Sequence, residues 1–252
     1  MSEQAARVHI TIEDPIARVR LDRPAKRNAL DDATVAELHR FFANPPDVRA
    51  VILEGAGDHF CAGLDLAEHV SRTSRDVSAH SKGWHDAFDA VQFGKLPTIA
   101  VMRGAVVGGG FELAASAHVR IAEQSAFFAL PEGQRGIFLG GGGSVRITRL
   151  IGTSRVLEMM LTGRRYSGAE AERIGAVHYV VDDGAGDAFG MQLAQRIAEN
   201  AVHSNTAIMQ ALPRIADMSH EEGLFAETMT AALMASEDES RTRINSFLER
   251  KR

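Results

Sequence analysis

Two glutamates stand out because their neighbours are apolar. Glu112 follows Phe111 in Gly108-Gly109-Gly110-Phe111-Glu112-Leu113, and Glu132 closes Phe127-Phe128-Ala129-Leu130-Pro131-Glu132. A carboxylate among apolar residues is tolerated when it is paired or used. If both enter one apolar pocket, burial disfavours their ionised forms and raises their pKa values, which brings acid/base chemistry to neutral pH. The competing readings are a first-turn carboxylate favoured by the helix dipole for Glu112 and a solvated turn residue for Glu132.

Two segments join a strand end, glycine and a helix start, and so expose backbone donors. In His59-Phe60-Cys61-Ala62-Gly63-Leu64-Asp65-Leu66-Ala67-Glu68, Asp65 and Glu68 have capping-box spacing. A helix starting there leaves the Leu64 amide without an intrahelical partner. In the stretch from Ile99 to Leu113 a strand runs through Gly108-Gly109-Gly110 into an apolar helix. Without a Cβ in the way, amides at that helix start can face an acceptor. Two such donors could hold one developing oxyanion. Alone, the glycine triplet also reads as tight packing.

The elements around these residues follow from periodicity. Residues 7–12 and 16–21, separated by Asp14-Pro15, alternate as a hairpin, and 50–53, 98–103, 119–122 and 177–181 read as buried strands. Helical spacing at Val35, Leu38, Phe41 and Phe42 predicts a helix over 31–42, with Asp31 or Asp32 as N-cap. Residues 70–83, with four serines, read as a mobile loop or irregular helix before an apolar helical face of Trp84, His85 and Phe88. From Asp187 onward the pattern is helical throughout, over 187–201, 205–216, 221–235 and 239–250. The expected division is therefore a core over 1–190 and a helical region over 191–252. The Met and Leu content of that region exceeds what four helices need among themselves and points to an oligomer contact.

Composition removes other classes. In 252 residues, 28 Lys plus Arg face 33 Asp plus Glu, a net charge of −5, which lacks the basic face of a general nucleic-acid binder. No apolar run reaches bilayer length and the start is polar, so the expectation is a soluble, unexported, cytoplasmic chain without a membrane partner. The single Cys61 cannot form an internal disulfide and reads as a small buried hydrophobe. Ten histidines show no metal-ligand spacing, and Leu113 stands where a dinucleotide fingerprint needs its third glycine.

Together, Leu21-Asp22-Arg23-Pro24-Ala25-Lys26-Arg27-Asn28-Ala29-Leu30, Phe60 to Leu66, Gly104 to Leu113, and Leu130-Pro131-Glu132 with Gly136 resemble the crotonase (enoyl-CoA hydratase/isomerase) superfamily over nearly the whole chain. The resemblance implies an α/β fold, a spiral of ββα units with a C-terminal helical trimerisation region, as homotrimers or hexamers. It implies a hydro-lyase adding water reversibly and syn across a 2-enoyl-CoA thioester. The Leu64 and Gly109 amides match the oxyanion-hole donors, and Glu112 and Glu132 match the two acid/base glutamates. Gly140 matches a glycine beside the reacting water. Ala25, Lys26, Arg27, Ala62 and Leu66 match the stretch beside the coenzyme A nucleotide, with Lys251 from a neighbouring subunit. Coenzyme A is then part of the substrate, and no separate cofactor or metal is implied. Isomerisation, acyl-CoA hydrolysis and catalytically silent acyl-CoA binding remain the alternatives. The run Gly140 to Gly143 and the pair Gln134-Arg135 depart from the hydratase pattern around the acyl pocket.

Overall fold

The computed structural model describes residues 6–249. β1 (Val8–Glu13) and β2 (Ile16–Leu21) form the expected antiparallel hairpin through a cis Asp14-Pro15 peptide. α1 (Asp32–Ala43) starts at Asp31, whose carboxylate accepts from the Thr34 amide at 2.8 Å, and it buries Val35, Leu38, Phe41 and Phe42. There follow β3 (Ala50–Gly55), the short α2 (Leu66–His69), α3 (Ser74–Gln92), β4 (Thr98–Met102), β5 (Ala105–Val107), α4 (Gly109–Ser116), β6 (Val119–Glu123) and β7 (Phe127–Ala129). The chain continues through α5 (Gly143–Ile151), α6 (Thr153–Thr162), β8 (Tyr166–Ser167), α7 (Gly168–Arg173), β9 (Tyr179–Val181) and α8 (Gly186–Ala198). α9 (Val202–Ile215), α10 (His220–Ser236) and α11 (Asp238–Glu249) end it.

The strands make two sheets. The larger runs β1-β2-β3-β4-β6-β9, parallel from β2 onward, and the smaller runs β5-β7-β8. Each turn of chain therefore gives a strand to the large sheet, a shorter one to the small sheet, and then a helix, as in β4-β5-α4. Cys61 joins the small sheet's row by bridging to Val106, and Leu64 extends that row by bridging to Leu30. This is the ββα spiral, and it brings the segments around Leu64, Gly109 and Glu132 side by side.

β3 is buried along its full length because both its faces are covered. Val51 and Leu53 face the main core with Phe60, Phe88 and Phe111, while Ala50 and Ile52 face the second cluster under α8, with Ile99, Val101, Ile121 and Ala194. That alternation is the period of two of a strand. The division expected at 190/191 falls inside α8, which packs on β2, β3, β4 and β6.

Two expectations change. Most of 70–83 is not a loop. A regular 19-residue helix begins at Ser74, where Thr73 and Asp76 form a reciprocal capping box, and it buries Trp84, Ala87, Phe88 and Val91. Its serines lie in the exposed or half-exposed first half, where they leave the helical hydrogen bonds intact. The small sheet was not foreseen, because strands of two or three residues are too short to show a period. No described helix is long and apolar enough to cross a membrane. Lys251 lies outside the described residues.

Candidate active site

The spiral leaves two amides pointing at one place. In the bridge to Leu30, the Leu30 amide donates to Gly63 O and the Asp65 amide to Leu30 O, both at 2.8 Å, so the Leu64 N–H between them faces away from Leu30. Gly109 is the first residue of α4, and its N–H has no intrahelical acceptor. Among the described residues, neither amide finds a hydrogen-bond partner. They are close, since a Cβ placed on Gly109 would lie 3.4 Å from Leu64 N and one on Gly63 would lie 3.1 Å from Gly109 N. Gly109 must be glycine, because its Cβ would also sit 2.5 Å from the Trp84 ring. An oxygen held by both amides would have developing negative charge stabilised by preset donors.

Glu112 projects from the first turn of α4 into a cradle made by the glycine run. It is 3% exposed, and one carboxylate oxygen accepts from the amides of Gly141 and Gly143, each at 2.8 Å. Hydrogen bonds to a charged group contribute about 1.5–3 kcal/mol each. Burial raises its pKa, and those amides and the Arg146 charge offset only part of that rise. Arg146 is itself buried, donates to Gly141 O at 3.0 Å and pairs with Asp89. A Cβ on Gly143 would lie 2.5 Å from Glu112 Cγ, and one on Gly141 would lie 2.8 Å from Phe88 and 2.9 Å from Trp84. Glycine at 141 and 143 is thus a steric requirement of the packing around this carboxylate, whereas a Cβ on Gly140 would meet nothing closer than 3.9 Å.

Glu132 follows β7 at the head of a 3-10 turn over Gly133–Arg135 and is 5% exposed. Its Oε2 is buried without a hydrogen-bond partner. Burial, with the Glu112 charge adding to it, pushes its pKa up to about 7. Gly108 gives it room: its φ is +52°, and a Cβ there would lie 2.7 Å from Glu132 Oε1. Glu132 is therefore poised to hold or release a proton at neutral pH, whereas the amides around Glu112 favour its charged form.

Both glutamates line a single cavity of about 340 Å³ that also receives Leu64 and Gly109. Its remaining walls come from His69, His80, Ser81 and Trp84 on one side and from the segment between Arg135 and Gly141 on the other. Gly140 lines it and its carbonyl accepts from Ser81 Oγ at 2.6 Å, while the amides that reach Glu112 at 2.8 Å are those of Gly141 and Gly143. Ala25, Lys26 and Arg27 lie in an exposed 3-10 turn. Arg27 O accepts from Ala62 N at 2.9 Å, and Leu66 follows Asp65, which Arg23 pairs at 2.9 Å. Ala25, Lys26, Arg27 and Leu66 are exposed and Ala62 is half-buried.

Sequence reasoning left Gly141, Gly143 and His80 unassigned and read Trp84 as packing. The glycine run was the available signal for the first two, whereas His80 and Trp84 carry no local signal because only the fold brings α3 over the site. Cys61 is fully buried and its thiol is pushed up to about 12, which makes it an inert core residue. Among the described residues, no group of three or more His, Cys, Asp or Glu could hold a metal.

Known proteins share this architecture and sequence. A mevalonyl-coenzyme A hydratase, sidH, of Aspergillus fumigatus is 33% identical over 224 residues, covering 86% of this chain and 83% of that one. A carnitinyl-CoA dehydratase of Salmonella enteritidis is 35% identical over 220 residues, covering 86% and 84%. A solved structure from Rhodopseudomonas palustris superposes with a TM-score of 0.94 at 46% identity, covering 97% of this chain and 95% of that one. The family model for enoyl-CoA hydratase/isomerase matches residues 11–252. The chain belongs to the enoyl-CoA hydratase/isomerase family.

Proposed function

We propose that this protein is a hydro-lyase that adds water, reversibly and syn, across the C2–C3 double bond of a 2-enoyl-CoA thioester. The observation that carries the reading is the meeting of Glu112, Glu132 and the two unpaired amides of Leu64 and Gly109 in one cavity. The thioester carbonyl accepts from both amides, which lowers the energy of the enolate formed when C3 is attacked. Ionised Glu112 takes a proton from water as its oxygen bonds to C3. Glu132, protonated near neutral pH, delivers its proton to C2 and quenches the enolate. Proton transfer through the two carboxyls restores the starting state, and dehydration is the same path reversed. The names of the hydratase and dehydratase relatives support this class of reaction.

The CoA nucleotide lies along Ala25, Lys26, Arg27, Ala62 and Leu66, where two cations offset an otherwise acidic chain. Gly140 places its backbone beside the attacking water. α9 and α10 expose Leu212, Leu224, Phe225, Met229 and Leu233, and these apolar faces assemble the trimer or its hexamer.

The test is hydration of crotonyl-CoA followed by mass spectrometry, because hydration adds the mass of one water and isomerisation does not, while hydrolysis releases free coenzyme A. Glu112→Gln and Glu132→Gln should each slow hydration by about 10²–10⁴-fold while largely keeping affinity for the CoA ester. Near-wild-type rates in both variants would eliminate the mechanism.

A further inference from the structure

The cavity wall built by α2 and α3 is polar in a way the reaction does not use. His80 faces the cavity with its side chain 9% exposed, and its Nδ1 lies 2.8 Å from Asp32 Oδ1. Asp32 is anchored in turn by Arg72 at 2.7 Å. Burial works against the charge of Asp32, but the hydrogen bonds from Arg72 and His80 outweigh it and hold its pKa low. An ionised carboxylate only accepts, so the proton of the His80 ring sits on Nδ1. Burial, with Arg72 and His69 nearby, lowers the His80 pKa despite Asp32, so the ring is neutral. Its Nε2, on the edge turned away from Asp32, is then a lone-pair acceptor, and among the described residues no protein group bonds to it.

The same wall holds two buried polar atoms without partners, Trp84 Nε1 and His69 Nδ1. The Trp84 ring lies 5.1 Å from that of His80, but Trp84 Nε1 and His69 Nδ1 are sealed from the cavity, which leaves His80 Nε2 as the polar atom of this pair of rings that a ligand can meet. An alkyl chain against this wall would leave the His80 acceptor unsatisfied. A carboxylate would meet the His80 lone pair with lone pairs of its own. A hydroxyl donates to that lone pair without bringing a charge into the cavity.

We propose that His80, positioned by Asp32, is a specificity-determining residue that accepts a hydrogen bond from a hydroxyl on the acyl chain beyond the reacting double bond, so that the preferred substrates are hydroxylated 2-enoyl-CoA thioesters. This rests on the reading of the cavity as an acyl-CoA site, and the opposite wall of Ile137, Phe138 and Leu139 packs the chain's methylene groups.

The experiment compares substrates in which hydroxyl and methyl exchange. The probes are 5-hydroxypent-2-enoyl-CoA against hex-2-enoyl-CoA, and 6-hydroxyhex-2-enoyl-CoA against hept-2-enoyl-CoA, with crotonyl-CoA as reference. The wild-type protein should prefer the hydroxylated member of at least one pair by about 10- to 100-fold in kcat/KM, mainly through KM. In His80→Phe the ratio within the pair should collapse toward one, whatever common change both rates undergo, and Asp32→Asn should reduce it in the same direction. Competition binding of saturated 5-hydroxypentanoyl-CoA against hexanoyl-CoA reads the subsite without turnover and without any variant. Hydration of crotonyl-CoA with a preference for the methyl members would overturn the subsite alone. Failure to bind any of these CoA esters would overturn both the subsite and the acyl-CoA reading.

Discussion

Glu112 and Gly143 are 31 residues apart in sequence, yet the Gly143 amide donates to Glu112 Oε1 at 2.8 Å and a methyl group on Gly143 would come within 2.5 Å of Glu112 Cγ. The contact fixes the carboxylate from both sides: the amide attracts it and the missing side chain makes space for it. Because α4 also supplies the Gly109 amide, any shift of Glu112 along that helix moves the proposed acid/base group relative to the proposed oxyanion donors.

Gly143→Ala should therefore lower kcat for hydration by about 10- to 100-fold, because a misplaced catalytic group loses orientation before it loses chemistry. The overpacking should cost about 1–3 kcal/mol of stability. Steady-state kinetics alongside urea unfolding separate the two effects. A variant with wild-type kcat would show that the cradle does not set the carboxylate's position.

Glu132 couples stability to pH. Its folded pKa of about 7 lies above that of an exposed glutamate, so the fold favours the protonated form. The native state then binds more protons between about pH 4.5 and 7. The stabilisation from Glu132 is complete below that window and is lost as pH rises through it. Glu132→Gln, which stays neutral, should match the wild type near pH 4 and exceed it at pH 8 by up to about 3 kcal/mol. Denaturant unfolding at both pH values tests this. In the wild type, kcat/KM for hydration should fall above about pH 7 as the proton donor is titrated away.

Gly109→Ala would drive a methyl group into the Trp84 ring and displace the donor beside Leu64. The expected loss in kcat is about 10²–10³-fold, the scale of one lost oxyanion donor. Trp84→Leu relieves the collision, so the double variant should be faster than the product of the single effects predicts. A double-mutant cycle on kcat/KM would reveal this coupling, and strict additivity would separate the two residues.

Lys26→Ala and Arg27→Asn should raise KM for CoA substrates by about 3- to 10-fold, with a smaller change in kcat and a weaker dependence of KM on salt. Asparagine is chosen at 27 because the backbone there is left-handed, with φ of 50°. Unchanged KM at low ionic strength would move the nucleotide elsewhere.

Phe225 and Leu233 are 69% and 58% exposed on α10. If their face joins subunits, Phe225→Glu with Leu233→Glu should convert the expected trimer to monomers in analytical ultracentrifugation while helical content is kept. Unaltered sedimentation would place the contact on another surface.

Composition, periodicity and motif order were enough to read the hairpin, α1, the long buried strands, the helical C-terminal region and both glutamates, because each leaves a local mark: a period of two or 3.6, an N-cap such as Asp31, or a charge among apolar neighbours. The small sheet left none, since its strands are two or three residues long and are defined by pairing between segments far apart in the chain. The α3 helix was legible only in part, because its serines and charged residues mask a capping box at Thr73 and Asp76. The need for glycine at 109, 141 and 143 could not be read locally either, for it is set by Trp84, Phe88 and Glu112 arriving from other elements. The sequence determined which groups could do chemistry. The tertiary structure decided that Glu132 loses its water and that Glu112 gains two amides, because desolvation and hydrogen bonding depend on what the fold packs around a side chain.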